Sequence, residues 1–285
     1  MRNTLFRLLL ALCVFLPLTT AMAASPGPTR SPTINGVVNQ QSVSLGRLHQ
    51  NYREYNDGLS PSLGEILDRE DGHVGQFDYR IAATRGRVLG NLDFQYASGD
   101  THYDGHLLVS GAPATDTTHN TIYALRLNLG YILWSGDNGL VAPQLEFGYH
   151  IWKRYIDGSG QEEKYTHGMF GAGVRAYYAL SKNMVVKASA FAGKTVAPNI
   201  SGTRVILWPD QELGSSRYVR GGLGLDYRLS GAWHVGFDVD YVTWRYKQSG
   251  LFLATDESGA LLGYFLEPRS RTAQTSYLFT VGHEF

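Results

Sequence analysis

The chain has 285 residues, with 25 Lys+Arg balancing 25 Asp+Glu, and its 18% charged content is low for a soluble domain. That length allows one or two domains, and the neutral balance excludes a nucleic-acid binder resting on a basic surface. A single cysteine, Cys13, excludes a disulfide scaffold or a thiolate zinc site.

Met1 to Ala23 reads as a secretory signal peptide: Arg2 and Arg7 lead, Leu8 to Leu18 is apolar, and Ala21-Met22-Ala23 is an A-x-A cleavage site. Cleavage there leaves 23 basic and 25 acidic residues and removes the cysteine. Residues 24–42 are rich in Pro, Ser, Gln and Asn without a clear period, and read as a flexible tail.

From Val43 onward the hydrophobic pattern has period two, the mark of strands. Ten segments qualify: Val43–Tyr55, Val74–Ala83, Val88–Ala97, Thr121–Leu133, Gly139–Tyr155, Tyr165–Leu180, Met184–Ala197, Arg217–Leu229, Trp233–Tyr246 and a last one ending at Phe285. Thr121–Leu133 is the clearest, with Tyr123, Leu125, Leu127, Leu129 and Tyr131 on one face and Arg126, Asn128 and Gly130 on the other. The connections alternate strictly between tight turns and five long segments: Asn56–His73, Gly99–His119, Ile156–Lys164, Pro198–Ser216 and Lys247–Arg271. A soluble sandwich has no reason to sort its connections in that way.

In the last strand Tyr277, Phe279, Val281 and Phe285 share one face. This resembles the C-terminal assembly signal of Gram-negative outer-membrane barrels, with His283 as a departure. The resemblance implies an all-β fold: a closed ten-stranded antiparallel transmembrane β-barrel over residues 43–285, with short periplasmic turns and long extracellular loops. It further implies both termini in the periplasm, the tail there or inside the lumen, and the barrel-assembly machinery, outer-membrane lipid and lipopolysaccharide as partners. Tyr96, Tyr131, Tyr149 and Tyr227 suit the interfacial girdles.

Facing inward, on this reading, are Asp78, Arg80, Asp93, Arg126, Glu146, Arg154, Arg175, Lys187, Arg220, Asp226, Arg228, Asp238, Asp240 and Glu284, with Arg47 and Arg53 if the first strand is phased that way. Buried charges persist when paired, so the expectation is a charge network that occludes a narrow lumen. Ten strands with long loops resemble the omptin and Opc-like group. Omptins set an Asp pair opposite an Asp-x-His pair, but the fourth long connection here holds Asp210 and Glu212 and no His. No catalytic residue carries over, and no metal or cofactor is expected.

The chain therefore reads as a surface-interaction, adhesion or envelope-structure protein. An omptin-like protease and a small solute or ion channel are the alternatives. Asp100-Thr101-His102-Tyr103-Asp104-Gly105-His106 and Asp68-Arg69-Glu70-Asp71-Gly72 are dense in potential ligands but read as polar loop chemistry. The fifth connection reads as a hairpin, Leu251–Ala254 and Leu261–Phe265 around Asp256-Glu257-Ser258-Gly259. Its apolar residues either pack over the barrel mouth, the reading adopted, or mark an extracellular partner site. The five long connections hold 16 acidic and 6 basic residues, net −10, whereas basic residues gather near the outer strand ends. Among these, Lys153 and Arg245 are the candidate contacts for lipopolysaccharide phosphates.

Overall fold

The structure, a computed structural model, describes residues 31–58, 64–106 and 112–285. The signal segment Met1–Ala23 and the start of the tail lie outside the described residues. Among the described residues there are fourteen strands: β1 (Gln40–Tyr55), β2 (Ile66–Arg85), β3 (Val88–His106), β4 (Pro113–Tyr131), β5 (Trp134–Ser135), β6 (Gly139–Ile156), β7 (Gln161–Ala179), β8 (Met184–Arg204), β9 (Ile206–Glu212), β10 (Arg217–Arg228), β11 (Trp233–Tyr246), β12 (Phe252–Thr255), β13 (Leu261–Phe265) and β14 (Ser270–Glu284).

Ten of them close a ring in the order β1-β2-β3-β4-β6-β7-β8-β10-β11-β14, every neighbour antiparallel. The seam joins β1 to β14, from Gln40↔Glu284 to Glu54↔Ser270. Closure gives every strand two hydrogen-bonded neighbours, which an apolar surround requires. At the short-turn end Gly86 and Gly231 take φ of +59° and +58°, a conformation that a Cβ disfavours.

The apolar alternate set faces out. Leu45, Leu127, Leu129, Leu145, Phe147, Leu223 and Phe279 are exposed in a belt. Tyr96 and Tyr149 flank this belt on the loop side, Tyr131 and Tyr227 on the turn side. Such a surface suits hydrocarbon between two interfaces.

Two expectations need correction. The strands run further toward the loop end: β2 begins at Ile66 rather than Val74, β3 ends at His106 rather than Ala97, and β4 begins at Pro113 rather than Thr121. Above the belt the outer face turns polar, so the ladder continues without the apolar-out alternation that announces it. The phase of β1 is also the reverse of the one that places Arg47 and Arg53 inside. Leu48, Tyr52 and Glu54 are buried in the lumen, and Arg47 and Arg53 lie on the outer face.

The described part of the tail begins at Ser31. Pro32 opens a short helix, α1 (Pro32–Val37), a position where its missing N–H costs nothing. Ile34, Val37 and Val38 bury into the short-turn mouth among Leu89, Ile132, Leu140, Tyr177 and Val185. The Thr33 hydroxyl donates to the Lys182 carbonyl, and the Phe285 amide to the Asn39 carbonyl at 3.3 Å. α1 is thus a stopper in one end of the barrel. Toward the other end the lumen is filled by aromatic rings, among them Tyr52, Trp152, Tyr165, Tyr218, Trp244 and Tyr246.

Candidate functional site

The middle of the lumen is a lattice of opposite charges. Alternation aims all of these side chains inward from different strands, and the register brings opposite signs together. Arg80 bonds Asp93 and lies 3.9 Å from both Asp238 and Asp240. Lys187 meets Asp238 at 2.8 Å, and Thr280 donates to the same carboxylate at 3.1 Å. Arg220 pairs with Glu146, which also accepts from Tyr218 at 2.8 Å. Arg126 donates to Gln95, Arg175 to Asn91, and Gln76 to Asp78. Nearer the turns His234 bridges Asp226 and Glu284, with Arg228 at 3.1 Å from Glu284. A cavity of about 20 Å³ between Gln76, Asp78, Arg80, Arg126 and Asp240 has room for one or two water molecules. Paired charges and that little space make the lumen occluded.

Arg154 belongs to a separate cluster at the loop end. β6 carries it inward, where its guanidinium meets Glu163 at 2.8 Å, Glu70 at 2.8 Å and Glu54 at 3.3 Å. Three rings enclose it, with centroids at 4.9 Å for Tyr52 and 5.6 Å for Trp152 and Tyr165. Cation–π attraction adds to the ion pairs there, because water is excluded. A fourth carboxyl, Glu267, accepts from Tyr165 at 2.7 Å, while Tyr52 donates to Glu54 at 2.7 Å. Four carboxyl groups therefore share one cation. Burial pushes the Glu54 carboxyl well up, and pushes Glu267 up to about 8. At neutral pH Glu267 therefore holds its proton. Sequence reasoning placed Arg154 inside but missed its partners, which lie as far as 100 residues away and carry no local signal.

The ligand-dense segments do not converge, because each is now part of a strand. In β3, Asp100, His102 and Asp104 face out, and Thr101 and Tyr103 face in. In β2, Arg69 and Asp71 face out, and Glu70 faces in. Asp104 pairs with Arg69 at 3.0 Å, and His106 donates to the Leu67 carbonyl. Among the described residues no group of three or more His, Cys, Asp or Glu is placed to hold a metal ion.

His119 is clamped on the outer wall, Nδ1 to Asp100 at 2.6 Å and Nε2 to Asp157 at 2.9 Å. The bond to Asp100, with the charge of both carboxylates, raises its pKa and favours the imidazolium. With both ring nitrogens occupied it has no free site for accepting a proton from water.

Two further features lie outside the lumen. Immediately above the belt, Arg245, Arg271, Arg53 and Arg69 are successive cross-strand partners on β11, β14, β1 and β2. Arg217 and Lys194 form another basic pair at the outer end of β10 and β8. Only Arg69 of the row of four has a carboxylate partner among the described residues. Lys153 sits on the far wall, opposite Lys164. The second feature is the β12–β13 hairpin. Phe252, Ala254 and Phe265 pack inward toward Trp208, whose ring is 5.5 Å from that of Phe252, whereas Leu251, Leu253, Leu261, Leu262 and Tyr264 stay exposed. The packing reading therefore describes one face of the hairpin only.

A family model described as an outer membrane protein beta-barrel domain matches residues 11–195. Among solved structures, the chain is similar to the outer membrane protease OmpT from Escherichia coli, with a TM-score of 0.61 at 10% identity over 87% of this chain and 97% of that one. Weaker likenesses are OprG from Pseudomonas aeruginosa, TM-score 0.40, 12% identity, covering 87% of this chain and 96% of that one, and Ail from Yersinia pestis, TM-score 0.31, 10% identity, covering 87% and 99%. At these identities the OmpT match shows a shared fold. No curated protein matches the chain.

Proposed function

The chain belongs to the outer membrane protein beta-barrel domain family, and on that premise we propose that it is a non-enzymatic surface-interaction or envelope-structure protein whose working surface is its exterior. The barrel is integral to the bacterial outer membrane, with its loops outside the cell. One observation carries the reading: the lumen is blocked along its length by α1, by the ion-pair lattice and by the Arg154 cluster. A proteolytic role, suggested by the OmpT-like fold, needs a histidine free to act as base near the mouth. His119 is pinned on the outer wall, and no such role is assigned to it. Planar-bilayer recordings of the reconstituted barrel are expected to show no discrete conductance steps, and incubation with dibasic peptides no cleavage. Unit steps, or cleavage abolished by Asp100→Ala, would overturn the reading.

The arginine row supplies the finer assignment of partner. Like charges placed directly opposite on neighbouring strands destabilise a sheet, so four in succession call for anions between them. At the outer edge of the apolar belt the available anions are the phosphates of lipopolysaccharide, which a guanidinium meets with two parallel hydrogen bonds. Arg53, Arg271 and Arg245 are the proposed contacts, and Lys153 and Lys164 form a separate, smaller pair across the barrel. Each charged hydrogen bond is worth about 1.5–3 kcal/mol. The double substitution Arg53→Ala with Arg271→Ala is thus expected to lower retention of bisphosphorylated lipid A at least about tenfold, with barrel folding intact. Unchanged retention in a titration with the purified lipid would remove the assignment.

A further inference from the structure

The hairpin above the mouth has a feature that the barrel elsewhere abolishes. β13 is the last member of the sheet path, which runs β8-β9-β12-β13 and stops. Its one partner among the described residues is β12, in the register Phe252↔Phe265, Leu253↔Tyr264 and Ala254↔Gly263. The backbone N–H and C=O groups along its other side face no strand among the described residues. Proteins usually blunt such an edge with Lys, Pro, a bulge or a covering loop, because it templates the addition of another chain. Leu261 to Leu266 contains no charge and no proline, and its register shift at Leu262 leaves Gly263 to Phe265 as the regular part of the edge.

The side chains are arranged for contact as well. Leu253 and Tyr264 are directly opposite on the outer face, flanked by Leu251 and Leu262, and Tyr264 is 73% exposed. The inner face is fixed in place by Phe252 and Phe265 against the aromatic core around Trp208. The edge is therefore held at a fixed site. Gly263, at φ +136°, has open space where a Cβ would stand. A glycine inside a strand marks a bulge or a close approach of another backbone; Gly263 adjoins the register shift and leaves room for such an approach.

We propose that β13 is a strand-addition site, taking an extended segment of another protein whose side chains alternate between apolar and basic. This rests on the surface-interaction reading above and names its partner class. The extended form follows from the unpaired edge, since main-chain hydrogen bonds give affinity and alternate side chains give specificity. The apolar set is read by Leu253, Leu262 and Tyr264. The basic set follows from charge: residues 248–266 hold Asp256 and Glu257 and no Lys or Arg. A second copy would bring the same negative loops against these, so like-charge repulsion selects against self-pairing.

The test uses the full-length mature barrel in detergent micelles and an eight-residue peptide alternating lysine and valine. Hydrogen exchange is expected to show saturable protection, tenfold or more, of the alternate Leu261–Phe265 amides that β12 leaves free. A peptide N-methylated at every second residue along one edge, or one alternating glutamate and valine, is expected to give at least tenfold weaker binding. Tyr264→Lys with Leu262→Lys places charges on an exposed face and is expected to abolish protection while heat-modifiable gel mobility is kept. Equal binding of the N-methylated or the acidic peptide overturns the proposal, as does protection confined to other segments. Protection of β13 by self-association without peptide overturns the choice of occupant. None of these results bears on the conductance and cleavage measurements, so the two readings fail separately.

Discussion

Arg154→Leu is expected to destabilise the barrel by about 3–5 kcal/mol, more than any other single change at the loop end. The leucine approximates the volume of the side-chain stem but leaves Glu54, Glu70 and Glu163 buried without a cation. Removing one partner of a buried ion pair costs far more than the pair itself contributes, because the remaining charge has lost its water as well. The three rings around the guanidinium would also lose their cation. Denaturant unfolding followed by gel mobility measures the effect. Lys153→Leu, next in sequence but on the outer face, is the control and is expected to stay within about 0.5 kcal/mol of the parent. If the two variants unfolded alike, the cluster would have no structural weight.

The second large effect is a pH dependence from the same place. Burial raises the carboxyl of Glu267 to about 8, and that of Glu54 is raised too by burial and by neighbouring carboxylates. An acid whose folded pKa lies above its unfolded value binds more protons folded than unfolded. Its contribution is full below the unfolded value, near 4.5, and is lost as pH rises through about 8. At about 1.4 kcal/mol per unit of displacement, the change attributable to Glu267 is on the order of 3–5 kcal/mol. The mouth and the β12–β13 hairpin are thus expected to be tightest in mild acid and to loosen progressively from about pH 5 to about pH 8. Glu267→Gln keeps the hydrogen bond from Tyr165 and removes the titration, so it should flatten the profile between pH 5 and 9. A parent protein whose hairpin amides exchange with equal protection factors at pH 6 and pH 9 would contradict this.

How much of this was legible depends on height along the barrel. In the belt, lipid imposes one rule, apolar outside and polar inside, and period two reads it directly, as in Tyr123 to Tyr131. Above the belt the rule reverses. The outer wall carries His49, Asp71, His102 and Asp104, while the lumen is packed with Tyr52, Trp152 and Tyr165. Leu48 and Tyr52 lie inside where Val43 and Leu45, earlier in the same strand, lie outside. A reader who follows apolarity along β1 therefore has to choose between two phases, and the arginines follow that choice. The inward charges from Asp78 to Glu284 are visible because alternation alone places them. Their pairing is not, since it depends on which strands the ring sets across from one another. The stopper had a signal in Pro32 followed by Ile34, Val37 and Val38, but six residues are too few to stand out from a polar tail.

The seam between β1 and β14 joins residues separated by most of the chain, Gln40 with Glu284 at one extreme. Its closure carries the largest loop-entropy cost of any strand pair in the ring. It is also the step at which the lumen charges on β2, β8 and β11 first share an enclosed space. Before that step Arg80 and Asp238 belong to opposite margins of an open sheet; after it they are within ion-pair distance. The Arg80 contacts to Asp238 and Asp240 are thus a product of closure rather than a guide to it. A barrel that opened at this seam would expose its charges and its stopper together.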